Sequence, residues 1–120
     1  MLLVVDDDPD FLGTAERLLN TGRGVFLAGN AEQAKYLVGT VGDAFSVALV
    51  DLDMPVEDGF ALIAEMHRDY PGLPVIAISG VLQSFVLESA KYLGAFDALQ
   101  KPITPEWLDT IARARSRATD

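Results

Sequence analysis

Five short apolar runs recur along the 120 residues, at 2–5, 25–28, 47–50, 75–78 and, more weakly, 98–99, and an amphipathic stretch follows each of them. Strand-length runs alternating with helix-length segments leave few architectures open, because parallel neighbours need a crossover long enough to hold a helix. The runs are continuously apolar, Leu-Leu-Val-Val at 2–5 and Val-Ala-Leu-Val at 47–50, without polar residues between. A strand reads this way when helices cover both faces of its sheet. The expected fold is therefore α/β, a doubly wound (βα)5 domain with a five-stranded parallel sheet; if its order is the flavodoxin-like 2-1-3-4-5, the second strand lies at an edge, which accounts for its ending in Ala28 and Gly29 without a chemically active side chain.

Helix signals fall between the runs. Asp8 reads as an N-cap with Pro9 at the first helical position, where a missing N–H costs nothing. Asn30 followed by Gln33 resembles a capping box. A third helix is expected from Gly59 to about Tyr70, with Leu62, Ile63 and Met66 on one stripe and Pro71-Gly72 ending it. A fourth should run from about Leu82 to Leu93, with Gly94 at its end. Thr104 should cap a fifth that begins at Pro105 and turns Trp107, Leu108, Ile111 and Ala112 inward.

A chain of this length, half of it hydrophobic, supports one core, so residues 1–120 are read as a single domain with its core over about 2–114. No run of about eighteen apolar residues occurs, and no basic segment precedes the first strand, so a soluble, cytoplasmic protein without membrane contact is expected. The absence of cysteine removes disulfides, thiolate nucleophiles and zinc fingers together. A net charge of −9 argues against nucleic-acid binding, which rests on clustered cations. Arg113, Arg115 and Arg117 form the one basic cluster, and at the end of a helix they complement its dipole.

In open α/β sheets ligands bind beyond the carboxyl ends of the strands. The polar residues gather there: Asp6, Asp7 and Asp8 after the first strand, Asp51 and Asp53 after the third, Ser79 after the fourth and Lys101 after the fifth. Each has a plain structural reading as a cap, turn residue or solvated lysine. Taken together they deliver carboxylates, a hydroxyl and an ammonium to one rim. Asp6, Asp7 and Asp51 side by side resist joint ionisation and call for a cation. An all-oxygen donor set selects a hard ion, and a few carboxylates with waters and a phosphate oxygen suit Mg²⁺. With Lys101 as a second positive charge, this is the composition of a phosphoryl-transfer site. Asp51 would be the nucleophile, Ser79 a donor to the new phosphoryl group, and Gly80 would leave its backbone room to approach.

From Leu2 to about Ala114 the chain resembles the receiver domains of bacterial response regulators. Val4-Val5-Asp6-Asp7-Asp8-Pro9, Val50-Asp51-Leu52-Asp53-Met54-Pro55, Asp58-Gly59, Ile78-Ser79-Gly80 and Lys101-Pro102 follow that family's motifs in order and spacing. The resemblance implies that Asp51 is the phosphoacceptor and that Asp7 ligates Mg²⁺ directly, Asp6 mostly through water and Asp53 through its backbone carbonyl. It implies further that Ser79 is the switch residue, that Lys101 contacts the phosphoryl group, and that the Lys101–Pro102 bond is cis. The donor would be a sensor histidine kinase or a histidine phosphotransfer protein, and the chain a signalling phosphoacceptor, not an enzyme. Ala98 departs from the pattern, because many receivers carry a Tyr or Phe there that turns inward on activation. Neither Tyr92 nor Phe96 matches that position, so movement of Ser79 and the 80–84 loop is expected to carry the switch.

Other residues invite roles and have simpler readings. His67 is expected on the solvent side of the third helix and Trp107 as a packing anchor. Phe85, Val86, Leu87 and Leu93 give the fourth helix more apolar surface than one stripe needs, which allows a homodimer through helices four and five. Two rival functions are a haloacid-dehalogenase-type phosphatase, suggested by Asp51-Leu52-Asp53, and a receiver-like scaffold that is never phosphorylated. The acidic triplet at residues 6–8 precedes Asp51, which is the wrong order for the phosphatase.

Overall fold

A computed structural model describes residues 1–54 and 58–118, so Pro55 of the third-strand motif lies outside the described residues. The chain folds as β1 (Leu2–Val5), α1 (Pro9–Leu19), β2 (Val25–Ala28), α2 (Ala31–Val41), β3 (Val47–Asp51), α3 (Gly59–Asp69), β4 (Val75–Ser79), α4 (Ser84–Tyr92), β5 (Asp97–Gln100) and α5 (Glu106–Ala118). The five strands are parallel in the order β2-β1-β3-β4-β5, as expected. A 3-10 turn at Gly42–Ala44, which no sequence signal marked, precedes β3.

Burial explains the unbroken apolar runs. Every residue of β1, β3 and β4 is buried. Alternate side chains serve opposite cores, as the two-residue period of a strand requires. Leu3, Val5, Ala48, Val50, Ala77 and Ala98 pack beneath α2, α3 and α4 with Val38, Leu62, Ile63 and Met66. Leu2, Val4, Leu49, Ile76 and Ile78 pack beneath α1 and α5 with Leu19, Trp107 and Ile111. The edge strand β2 is less covered, and its Phe26 makes an edge-to-face contact with Phe45 at 5.6 Å between centroids.

Side-chain caps form at the starts of α1, α2 and α3. Asp8 accepts from the Asp10 N–H at 2.9 Å and Asp58 from the Ala61 N–H at 2.8 Å, fixing the starts of α1 and α3. Asn30 accepts from the Gln33 N–H, but the Gln33 side chain reaches the N–H of Gly29, one residue earlier than a standard capping box would. Helix α4 begins at Ser84, two residues after the expected start, behind Gln83, which gives no side-chain cap bond. Helix α5 begins at Glu106, with Pro105 in the preceding turn.

The inward face of α5 differs from the expected one. Trp107 and Ile111 are buried, but Leu108 and Ala112 are exposed, and Thr110 and Ala114 take the inner positions. Positions 107, 110, 111 and 114 follow the i, i+3, i+4, i+7 stripe of a helix lying flat on a sheet. His67 is exposed, as expected, with its ring against Gly94, whose φ is +117°. The three arginines are spread over different contacts: Arg113 with Thr110 and Asp97, Arg115 with Ser46, and Arg117 over the Phe96 ring. Among the described residues no helix is long and apolar enough to cross a membrane.

Candidate functional site

The carboxyl ends of β1, β3, β4 and β5 form one rim, and the backbone ladder continues beyond the strands to hold it level. Asp6 N–H bonds Ala28 C=O at 3.0 Å, Leu52 N–H bonds Ile78 C=O at 2.9 Å, and Lys101 N–H bonds Ser79 C=O at 2.9 Å. Asp51 and Ser79 are the final residues of β3 and β4, each strand running one residue further than expected, which gives them the strands' rigidity. The Lys101–Pro102 peptide is cis.

Gly59 lets the start of α3 approach this rim. A Cβ built there would run into the Asp51 carbonyl oxygen and lie 2.7 Å from Leu52 Cα, so only glycine allows α3 to abut the end of β3. At Gly80, by contrast, an added Cβ would meet nothing within 4 Å.

Carboxylate oxygens of Asp6, Asp7 and Asp51 all lie within 4.8 Å of one another. Asp6 is fully buried and Asp51 is 2% exposed, whereas Asp7 opens to solvent. The Lys101 Nζ donates to Asp6 Oδ2 at 2.6 Å and stands 3.7 Å from Asp51 Oδ2. The other Asp6 oxygen accepts from the Asp8 N–H at 2.9 Å, and Asp51 Oδ1 from the Asp53 N–H at 3.2 Å. Ser79 Oγ lies 3.2 Å from Asp53 Oδ2 and 3.0 Å from the Val81 carbonyl, and accepts from the Val81 N–H at 3.3 Å. Among the described residues no buried side-chain nitrogen or oxygen lacks a partner.

These surroundings perturb the two central groups. Burial raises the Asp51 carboxyl from the ordinary 3.8 to about 6; the Asp53 N–H and Lys101 oppose the rise, and the charges of Asp6 and Asp53 add to it. Burial alone would depress the Lys101 ammonium, but its hydrogen bond to Asp6 and the charges of Asp51, Asp6 and Asp53 outweigh that and hold it above the usual lysine value. The site thus has more negative charge than one lysine neutralises, and oxygen-only donors at this spacing fit a hard divalent cation.

Every sequence-derived candidate, Asp6, Asp7, Asp51, Asp53, Ser79 and Lys101, stands at this one rim. Sequence reasoning missed Phe11, whose ring lies under the Lys101 ammonium with 4.4 Å between Nζ and the ring centroid. Its only signal was a place in the amphipathic first helix, one turn after the cap, which gives no hint of a contact 90 residues away. Ala98 is buried under α4, so no aromatic ring turns at that position.

Comparison with known proteins agrees with this geometry. The family model for the response regulator receiver domain matches residues 2–113. A response regulator receiver protein of Anaeromyxobacter sp. (strain Fw109-5) is 35% identical over 109 residues, covering 89% of this chain and 45% of the relative. The DNA-binding transcriptional regulator NtrC of Escherichia coli K12 is 35% identical over 99 residues, covering 82% of this chain and 21% of the relative. The chain thus spans less than half the length of either relative. The crystal structure of the receiver domain of NtrX from Brucella abortus superimposes with a TM-score of 0.82 at 31% identity, covering 97% of this chain and 98% of that one. With matching motifs, strand order and rim geometry, the chain belongs to the response regulator receiver domain family of two-component systems.

Proposed function

We propose that Asp51 accepts a phosphoryl group from the phosphohistidine of a sensor histidine kinase or a histidine phosphotransfer protein in the cytoplasm. The observation that carries this reading is a carboxylate at the end of a central strand, 2% exposed, with an ammonium 3.7 Å away and two further carboxylates on the same rim. At pH 7 a carboxyl titrating near 6 is mostly ionised, and so is competent as a nucleophile. An Asp51 oxygen attacks phosphorus, the P–N bond to the imidazole breaks with its electron pair leaving on nitrogen, and an aspartyl phosphate remains.

The carboxylates of Asp6, Asp7 and Asp51 and the backbone carbonyl of Asp53 would hold Mg²⁺. Bound there, the ion supplies charge neutralisation for the carboxylates and the phosphoryl oxygens. Lys101 already donates to Asp6 and lies near Asp51, so it contributes its ammonium to the incoming oxygens without large movement. Ser79 must exchange its contacts with Asp53 and Val81 for the phosphoryl group. Because Val81 shares that exchange, the change passes into the 80–84 loop ahead of α4, and Ala98 gives it no aromatic partner. Of the apolar residues of α4 and its C-cap, Val86, Leu87 and Leu93 pack partly buried against the core, so a self-association surface there would rest on Phe85 and on Tyr92, 64% and 88% exposed.

Incubation with Mg²⁺ and acetyl phosphate followed by intact mass tests the reading. A single phosphoryl adduct that disappears in Asp51→Asn is expected. An adduct that survives that substitution, or sustained hydrolysis of a generic phosphomonoester, would instead favour another site or a phosphatase.

A further inference from the structure

The ammonium of Lys101 does not meet carboxylates alone. It stands over the ring of Phe11, 4.4 Å from the centroid, and Phe11 in turn makes a tilted contact with Trp107 at 6.1 Å between ring centroids. Trp107 is 1% exposed and anchored in the core beneath α5, so the phenyl ring has a firm backing. The lysine side chain keeps 23% of its surface exposed, and a flexible four-carbon stem in that setting has other orientations open to it.

We propose that Phe11 is a positioning residue for Lys101, a cation–π floor that keeps the ammonium beside Asp51; this rests on the phosphoacceptor reading above. A phenyl face suits the task. It attracts a cation through its quadrupole but has no lone pair to compete with a phosphoryl oxygen for the N–H donors. Asp6 fixes one direction of the ammonium by a short hydrogen bond, and the ring limits its swing on another side. The N–H bonds left over are free to reach the group arriving on Asp51. The contact also joins the rim to α1 and, through Trp107, to α5.

Two measurements separate this proposal from the reading it rests on. The first is the ¹H–¹³C spectrum of the lysine εCH₂ groups in the unphosphorylated protein. Ring current should place Lys101 upfield of Lys35 and Lys91, Phe11→Leu should abolish that shift, and Phe11→Tyr should retain it. The second is the rate of adduct formation with acetyl phosphate and Mg²⁺ over a range of donor concentration. Phe11→Leu should lower the maximal rate roughly fivefold, the scale of a partly desolvated cation–π contact, and leave the half-saturating donor concentration unchanged. Phe11→Tyr should restore the rate. An unshifted Lys101 in the wild-type protein overturns the proposal whatever the variants do, and so does a Phe11→Leu protein that is phosphorylated at the wild-type rate. Should the wild-type protein take no adduct at all, the phosphoacceptor reading fails, and the spectrum still decides whether the ring holds the lysine. If Phe11→Leu does not fold, Phe11→Met serves in its place.

Discussion

Replacing Asp51 by Asn should stabilise the metal-free protein at neutral pH, and the size of the gain follows from the site. Folding raises this carboxyl from 3.8 to about 6, chiefly by burying it, with Asp6 and Asp53 adding to the effect. The folded state therefore holds the proton more tightly than the unfolded chain does. The group's contribution to stability is fully present below about pH 4 and is lost as pH rises through about 6. A rise from 3.8 to about 6 sets an upper bound near 3 kcal/mol, and roughly 2 kcal/mol is expected once the charges around it relax. Asn keeps an oxygen for the Asp53 N–H and has no charge to desolvate. For a domain of this size the gain corresponds to roughly 8 °C in Tm. Thermal unfolding in EDTA should show the Asn variant above the wild type at pH 7.5, with the gap closing towards pH 4.5. Millimolar Mg²⁺ should also narrow it, by stabilising the wild type through binding to the folded state. Equal stabilities at pH 7.5, or a gap that does not change with pH, would refute the claim that the charge of Asp51 is held at a cost.

Three further outcomes are expected. Lys101→Met leaves the fully buried Asp6 without its ion-pair partner and should cost roughly 3 kcal/mol in urea unfolding; Asp6→Leu in the same chain should recover part of the loss. Gly59→Ala drives a methyl into the backbone of Asp51 and Leu52 and should cost about 3 kcal/mol by the same measurement, while slowing phosphorylation because the end of β3 must shift. Gly94→Ala meets both a φ of +117° and the His67 side chain, whose Cβ lies 2.7 Å from the added atom, and should lower stability by roughly 2 kcal/mol.

The class of fold and the polar rim were legible because they rest on period and on sequence position, whereas the strand order came only with the resemblance to receiver domains. Leu2 to Val5 and the run at 47–50 are apolar without alternation only because helices lie on both sides of the sheet, and that pattern survives in a one-dimensional reading. Asp6, Asp51, Ser79 and Lys101 each end a strand or follow one closely, so a parallel sheet brings them together by construction. The inward face of α5 was less legible. Leu108 and Ala112 are at least as apolar as Thr110 and Ala114, so residue type does not pick the inner positions; the packing of the helix against the sheet does.

What the sequence determined by itself was which chemical groups exist and which end of the sheet they reach, since strand period and crossover topology act locally and repeatedly along the chain. Tertiary structure alone decided how strongly those groups perturb one another. The burial that raises Asp51, the short contact between Lys101 and Asp6, and the Phe11 ring beneath the ammonium all arise between segments far apart in the chain. Electrostatic and packing energies depend on distances of a few ångströms and on the exclusion of water, and neither quantity is written in the order of the residues.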